Sequence, residues 1–344
     1  MSDSGGSFDG AGQLTAAQAN AAMLALTARL QSTLGERGAA GEPSGLDEKE
    51  APGEDGAPGD DGASGEPLSG ETPGTGGEAT AAGPPVAVAA HTTQSPVTVA
   101  GFDRMLVEEL GLSSVAAHVQ ASAATAGLDP PPYFGTEVLA RMLELRYEHP
   151  VGSQRLDLFP GQAITRAEAA WSLAALMSMN DWSVSSAREA LSAFELPQMS
   201  AAQRQALTLA VSRIGYPYVW GGTTDNTADG LEHGGFDCSG FAWRVFKVSG
   251  LPWGKKIRGR TAAEQAGEIP RSQRLAAAQL EPGDLLFFGS AHFNSRATAS
   301  NIIHEGIYLG DNWVIHSSGQ GVYVLPLSGS WLGSSFAWGR RVIG

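Results

Sequence analysis

The sequence predicts an α+β protein: a low-complexity tail, then a helical part, then a part that mixes helices with a sheet. Three observations predict it. Residues 35–99 are built almost entirely from Gly, Pro, Glu, Asp, Ala and Ser. Residues 101–196 place apolar side chains at helical spacing. From Ser200 to Gly344 helical stretches alternate with short strands, two of which read as a hairpin. A chain of 344 residues has room for two or three domains, and these shifts set their boundaries at 1–100, 101–199 and 200–344.

The tail opens on a short helix over 12–34. Met23, Leu26, Leu30 and Leu34 recur at helical spacing and Gly35 ends it. One amphipathic helix cannot bury itself, so this helix is marginal or needs a partner. Its apolar run "AAMLALTA" is short, is interrupted by Thr27 and lacks a basic flank, so neither a membrane span nor a secretory signal is read there. Between Gly53 and Pro67 glycine recurs every third residue. Five triplets are too few for a collagen helix, and this composition cannot offset chain entropy, so 35–99 reads as a flexible acidic linker. The net charge of −14 is uneven. Residues 1–100 carry 14 acids and 3 bases, residues 101–199 carry 12 and 6, and residues 200–344 carry 10 and 13. Acidity therefore belongs to the tail, and the mildly basic C-terminal part suits an anionic polymer. Nothing points to nucleic acid.

In the middle part, "FDRMLVEELGL" and "TEVLARMLELRY" read as helices. Thr165 and Glu168 form a capping box ahead of a third helix, whose face carries Ala169, Leu173 and Leu176. Asn180-Asp181 ends it, and a further helix over 185–194 stops before Pro197. The stretches "FD" at Phe102-Asp103, "GLDPPPYFGTEVLARML" and "FPGQAITRAEAA" resemble S-layer homology modules. That resemblance implies attachment to cell-wall polymers through residues 101–199.

The chain has one cysteine, Cys238, which excludes an internal disulfide framework. It sits in "GGFDCSGF", ahead of a helix whose Phe241, Val245 and Val248 share a face and whose end is marked by Gly250 and Pro252. In the first helical turn the dipole and free N–H groups favour an anion, so the thiol pKa is expected to fall.

A nucleophilic thiol needs a base, and the base needs an orienting partner. His304 and His316 lie in the hairpin "IIHEGIYLGDNWVIHSS". With Gly310-Asp311-Asn312 as a three-residue loop, Gly306 pairs with His316, and the two histidines become diagonal neighbours on one face. With Asp311-Asn312 as a two-residue loop they fall on opposite faces. Gly306 would leave room beside both rings.

Residues 200–344 closely resemble the NlpC/P60 family of cell-wall cysteine peptidases. The stretches that carry it are, in order, "YPYVWGG", "GGFDCSGF", "RGRTAAEQ", "LEPGDLLFF", "HEGIYLGDNWVIHSS" and "FAWGRRV". The resemblance implies a papain-like fold, helices on an antiparallel sheet with the nucleophile at a helix start. It implies Cys238 as nucleophile, His304 as general base and His316 as the residue that orients His304. Tyr218, Asp237 and Ser239 match positions lining the substrate pocket, where an acid could receive a free peptide amine. The implied substrates are peptidoglycan stem peptides, cut at a γ-D-glutamyl bond to a diamino acid, outside the cell or at its wall. No cofactor or metal is implied.

Three departures stand out. Glu305 follows His304 where relatives carry an apolar residue; alternation turns it away from the catalytic face. The loops 223–235 and 289–301 are long and are expected to rim the cleft. Their His233 and His292 read as surface residues. Two other functions fit the same features: a non-catalytic wall-attached surface protein, and an amidase or acyl transferase using the same Cys-His pair. The intact Cys-His-His set disfavours the first; "YPYVWGG" and "RTAAEQ" favour a peptide over the second.

Overall fold

The computed structural model describes residues 9–39, 94–225 and 234–343. The linker expected over 35–99 lies mostly outside them, as do His233 and most of the loop 223–235. The chain divides into two units, Met1–Ala28 with Thr92–Gly344, and Arg29–His91. Of the second unit only the end of one helix is described.

In the first unit the helices are α1 (Ala16–Ala39, its first half), α2 (Val99–Glu109), α3 (Ser113–Thr125), α4 (Phe134–Met142), α5 (Arg166–Ser178), α6 (Asp181–Ser192) and α7 (Ala201–Val211). The capping box at Thr165 and Glu168 forms as expected. Asn180 does more than end α5: its side chain accepts from Ser183 N and starts α6.

Three of these helices begin at one place. Leu14 N donates to Ile164 O at 3.0 Å, Ile164 N to Val97 O at 2.9 Å, and Val97 N to Leu14 O at 2.9 Å. The three bonds close a ring. In each arm the aliphatic residue is followed by a threonine, Thr15, Thr98 or Thr165, whose hydroxyl accepts from the backbone N–H three residues on. A threefold internal repeat is thus present, and residues 9–28 and 94–100 belong to the helical part. This corrects the boundary expected at residue 100. The helix at 12–34 has its partner within the chain: Leu14, Ala19, Met23 and Leu26 are buried, and Thr27 Oγ1 donates to the Glu109 carboxylate at 2.8 Å.

A short ribbon, β1 (Thr223–Thr224) and β2 (Gly235–Phe236), precedes α8 (Cys238–Trp243) and α9 (Ala262–Gly267). The main sheet follows: β3 (Leu285–Phe288), β4 (His304–Gly310), β5 (Trp313–Ser318), β6 (Gly321–Pro326), then α10 (Trp331–Ser335) and β7 (Phe336–Arg340). Its order is β6-β5-β4-β3-β7 and every pairing is antiparallel. One face carries Leu286, Phe288 and Val314 against Leu327 and Leu332. Residues of opposite parity, among them Phe287, Ile307, Ile315 and Trp338, are fully buried too. Strands covered on both sides read as continuous apolar runs, which is what "LLFF" of β3 is. An α+β architecture is therefore observed.

The helical and mixed parts are not separate bodies at residue 199, since one unit holds both. Arg141 of α4 joins them. Its guanidinium pairs with Glu137 at 2.8 Å, donates to Gly215 O at 2.7 Å, and also donates to Gln320 O. A buried guanidinium with all these partners is costly to disturb.

Candidate active site

Cys238 is the first residue of α8, and Asp237 is the N-cap, accepting from Gly240 N. The backbone N–H groups of Glu305 and Ser239 both face the cysteine sulfur and favour its charged form. The first of these ties the thiol to β4, one residue from His304. Beyond Trp243 the helix continues as a π-turn, Arg244–Val248. The extra residue per turn rotates the face, so Phe241, Val245 and Phe246 are buried while Val248 is exposed.

The hairpin resolves the register question in an unforeseen way. The turn is the two-residue one: Asp311 and Asn312 have φ of 44° and 75°. A bulge between Tyr308 and Gly310 restores the frame, so Gly306 still faces His316. His304 Nε2 and His316 Nδ1 share a hydrogen bond of 3.0 Å. A β-carbon on Gly306 would lie 2.7 Å from Val314 Cγ1 and 3.1 Å from His316 Cβ, so only glycine leaves the second ring its place.

Both rings are enclosed by aromatic side chains. Trp331 lies 5.1 Å from His304 and 5.8 Å from His316 between ring centroids, Phe288 lies 5.8 Å from His304, and Tyr323 lies 4.4 Å from His316. Burial drives the pKa of His304 down to about 3, and that of His316 well below its ordinary value, with His304 adding to the fall. Both imidazoles are therefore neutral at pH 7. Trp331 and Tyr323 carry no motif that singles them out in the sequence.

The expectation of a low thiol pKa does not hold. Burial, then the acids Glu305 and Asp237, raise Cys238 to about 12, against two N–H donors that pull the other way. Desolvation of the charged sulfur outweighs what a six-residue helix start supplies. The resting pair is a neutral thiol and a neutral imidazole. Alkylation of Cys238 by iodoacetamide is thus expected to speed up about tenfold per pH unit from pH 7 to 10. A plateau reached by pH 7 would contradict the neutral pair.

Asp237 and Ser239 share a partner in Arg260. Arg260 grips Asp237 with both Nη atoms, at 3.0 and 2.9 Å, and its Nη1 also donates to Ser239 Oγ at 2.9 Å. Gly221 N, Gly240 N and Ser239 Oγ donate to the same carboxylate. A carboxylate offers about four acceptor positions, so Asp237 is saturated. It holds the start of α8. Arg260 was the residue missed; it lies in the "RGRTAAEQ" stretch, but only the fold shows its partner. Tyr218 is half-buried, and burial raises its pKa, with Cys238, Asp237 and Glu148 adding to the rise. Its hydroxyl stays protonated near the nucleophile.

Glu305 does point to the opposite face from His304, but that face is not solvent. The side chain is fully buried and neither carboxylate oxygen has a hydrogen-bond partner among the described residues. Burial, then Asp237, pushes its pKa well up; Arg340 and Arg260 only partly oppose this. Burial thus favours the protonated form of this carboxyl. His292 is exposed, as expected. Its loop is pinned from behind by Arg274, which donates to Ser295 O at 2.8 Å and to Phe293 O.

Part of the chain is similar to known proteins. Residues 215–341 match the model of the NlpC/P60 family. The probable endopeptidase p60 of Listeria grayi is 32% identical over 148 residues, 43% of this chain and 23% of that protein. Murein DD-endopeptidase MepH of Escherichia coli K12 is 30% identical over 144 residues, 41% of this chain and 46% of that protein. The chain thus spans less than half the length of either relative. A crystal structure of an NlpC/P60 family protein from Bacillus cereus is 25% identical, with a TM-score of 0.33 over 44% of this chain and 42% of the other. Among the described residues no helix is long and apolar enough to cross a membrane. The segment that matches the family model, residues 215–341, is the one that carries Cys238, His304 and His316 on α8, β4 and β5.

Proposed function

We propose that the chain is a cysteine peptidase that hydrolyses stem peptides of peptidoglycan at the cell wall. The observation that carries this is the His304–His316 hydrogen bond of 3.0 Å, on a strand whose next N–H reaches the sulfur of Cys238. The names of the relatives support the substrate class.

In this mechanism His304 Nε2 is held by His316 Nδ1, which leaves Nδ1 of His304 to take the thiol proton as sulfur attacks the scissile carbonyl. The imidazolium that forms donates through Nε2 to His316, so His316 orients and stabilises it. The proton then passes to the leaving amine, and the carbonyl carbon stays on sulfur as a thioester. Water, deprotonated by His304, releases the acid and restores the thiol. The free N–H of Cys238 at the helix start is suited to the oxyanion. Because the resting pair is neutral, proton transfer and attack go together.

We place the scissile bond between γ-D-glutamate and a diamino acid, as the motif set implies. A second reading is the D,D cross-link, favoured by the murein DD-endopeptidase among the relatives. Digestion of muropeptides with product masses decides between them: the first reading yields fragments ending in D-glutamate, the second fragments separated at the cross-link. We extend the proposal to wall attachment through residues 101–199, supported by the stretch 159–170 and its capping box.

A further inference from the structure

Of the aromatic rings packed around His304 and His316, one reaches solvent. Phe288 is fully buried and Tyr323 is 7% exposed, while Trp331 is 44% exposed. Trp331 is the first residue of α10, and Ser330 caps that helix by accepting from Leu332 N at 3.2 Å. Leu332 is buried in the core with Leu286, Phe288 and Val314. It anchors α10, so the indole is laid over the histidines by its neighbour rather than by its own burial. Its ring centroid lies 5.1 Å from His304 and 5.8 Å from His316. The indole also faces the hydroxyl of Tyr323, which accepts from Ser318 Oγ at 3.1 Å.

The pair holds one polar atom that nothing serves. His304 Nε2 and His316 Nδ1 share their 3.0 Å bond, and His316 Nε2 is buried with no hydrogen-bond partner among the described residues. Besides His304, the rings packed on His316 are Tyr323, inclined by 47°, and Trp331, inclined by 78°. No charge governs the setting. Burial alone lowers the pKa of His304, and burial with His304 lowers that of His316; no carboxylate, lysine or arginine of the described residues acts on either ring. The other titratable groups beside the pair are Tyr323 on β6 and Cys238 on α8, the helix that packs on β4 and β5.

Two neutral arrangements share the same bond. In the first, each ring carries its proton on Nε2, so His304 donates to His316 and the unpartnered atom of His316 is an N–H. In the second, both protons sit on Nδ1, and the unpartnered atom is a lone pair. The faces of aromatic rings are negative, so an N–H is accommodated among them better than a lone pair. Water at that atom would serve either arrangement, because it both donates and accepts.

We propose that Trp331 is a positioning residue: its indole keeps water from the histidine pair and so holds the pair in the arrangement that leaves His304 Nδ1 bare to take the thiol proton. The purpose of this device rests on the proposed peptidase reading; the device itself rests on the ring packing.

The test reads the rings first and turnover second. Full-length protein with isotope-labelled histidine is followed by nitrogen NMR from about pH 3 to 8. In the wild type both rings are expected to carry the proton on Nε2 and to stay neutral down to about pH 4. In Trp331→Ala both pKa values are expected to rise by about one to three pH units, with the Nδ1–H form appearing. In the same variant kcat/KM for a stem peptide is expected to fall about 10- to 100-fold, with KM less changed. Trp331→Phe keeps a ring over the pair and is expected to restore the wild-type arrangement and most of the rate. A wild-type His304 with its proton on Nδ1, unchanged titration in Trp331→Ala, or Phe and Ala variants that behave alike would overturn the proposal. The wild-type arrangement is read without any substitution, so the proposal is tested even where Trp331→Ala does not fold. The ring readings need no substrate, so they stand apart from the peptidase reading, which digestion of muropeptides scores separately.

Discussion

His304→Ala is expected to lower kcat/KM for a stem peptide about 100- to 10,000-fold, the range for loss of a general base. The reason is specific to this site. With Cys238 raised to about 12, almost no thiolate exists at neutral pH, so the thiol depends on a base within the transition state. A site with a preformed thiolate would tolerate the change better. His316→Ala is expected to cost less, and His316→Asn less again, because Asn keeps a polar group opposite His304 Nε2. Steady-state kinetics on all three variants check the order. Equal losses for His304→Ala and His316→Asn would mean that His316 does more than orient.

The second large effect concerns stability. Glu305 is buried beneath the cysteine with both oxygens unpartnered, and its folded-state pKa is raised. A raised carboxyl pKa contributes stability that is fully present below the unfolded value, near 4.5, and is lost as pH rises toward the folded value. Glu305→Gln removes that dependence. Its stability relative to wild type is therefore expected to improve by up to about 1.4 kcal/mol per pH unit above pH 5. Denaturant unfolding of both proteins at pH 5 and pH 8 measures it. A difference that is the same at both pH values would show that Glu305 ionises freely in the fold.

Much of the site was legible because its determinants are local. The capping box at Thr165 needs only two residues at fixed spacing. Cys238 at a helix start follows from the apolar positions after it and from Gly250 and Pro252 at the far end. The pairing of Gly306 with His316 followed from alternation, although a bulge and a two-residue turn produce it in place of a three-residue loop. Both arrangements add one residue to the same strand, so they give one register and cannot be told apart by pattern.

What stayed hidden depends on contacts far apart in the chain. Arg260 meets Asp237 across 23 positions, and nothing in "RGRTAAEQ" alone names that partner. The ring formed by Leu14, Val97 and Ile164 rests on an aliphatic residue before a threonine, a pattern too short to stand out. Backbone bonds carry the repeat, and the backbone leaves few marks on side-chain identity. The thiol pKa was misjudged because a helix dipole can be read from sequence while desolvation cannot. Glu305 was placed on the correct face, but sequence does not reveal that Trp338, Phe287 and their neighbours are buried alongside it.

The helical part is bonded directly to the segment that carries the site. Arg141 binds it to Gly215 and Gln320, on either side of the motifs that carry Tyr218 and His316.

The central claim is that Cys238, served by His304 and His316, cleaves peptidoglycan peptides. The most direct measurement is digestion of purified muropeptides by the full chain, wild type beside Cys238→Ser, with products identified by mass spectrometry. The account predicts new stem-peptide fragments with the wild type and none with the variant. Equal cleavage by both proteins would contradict it.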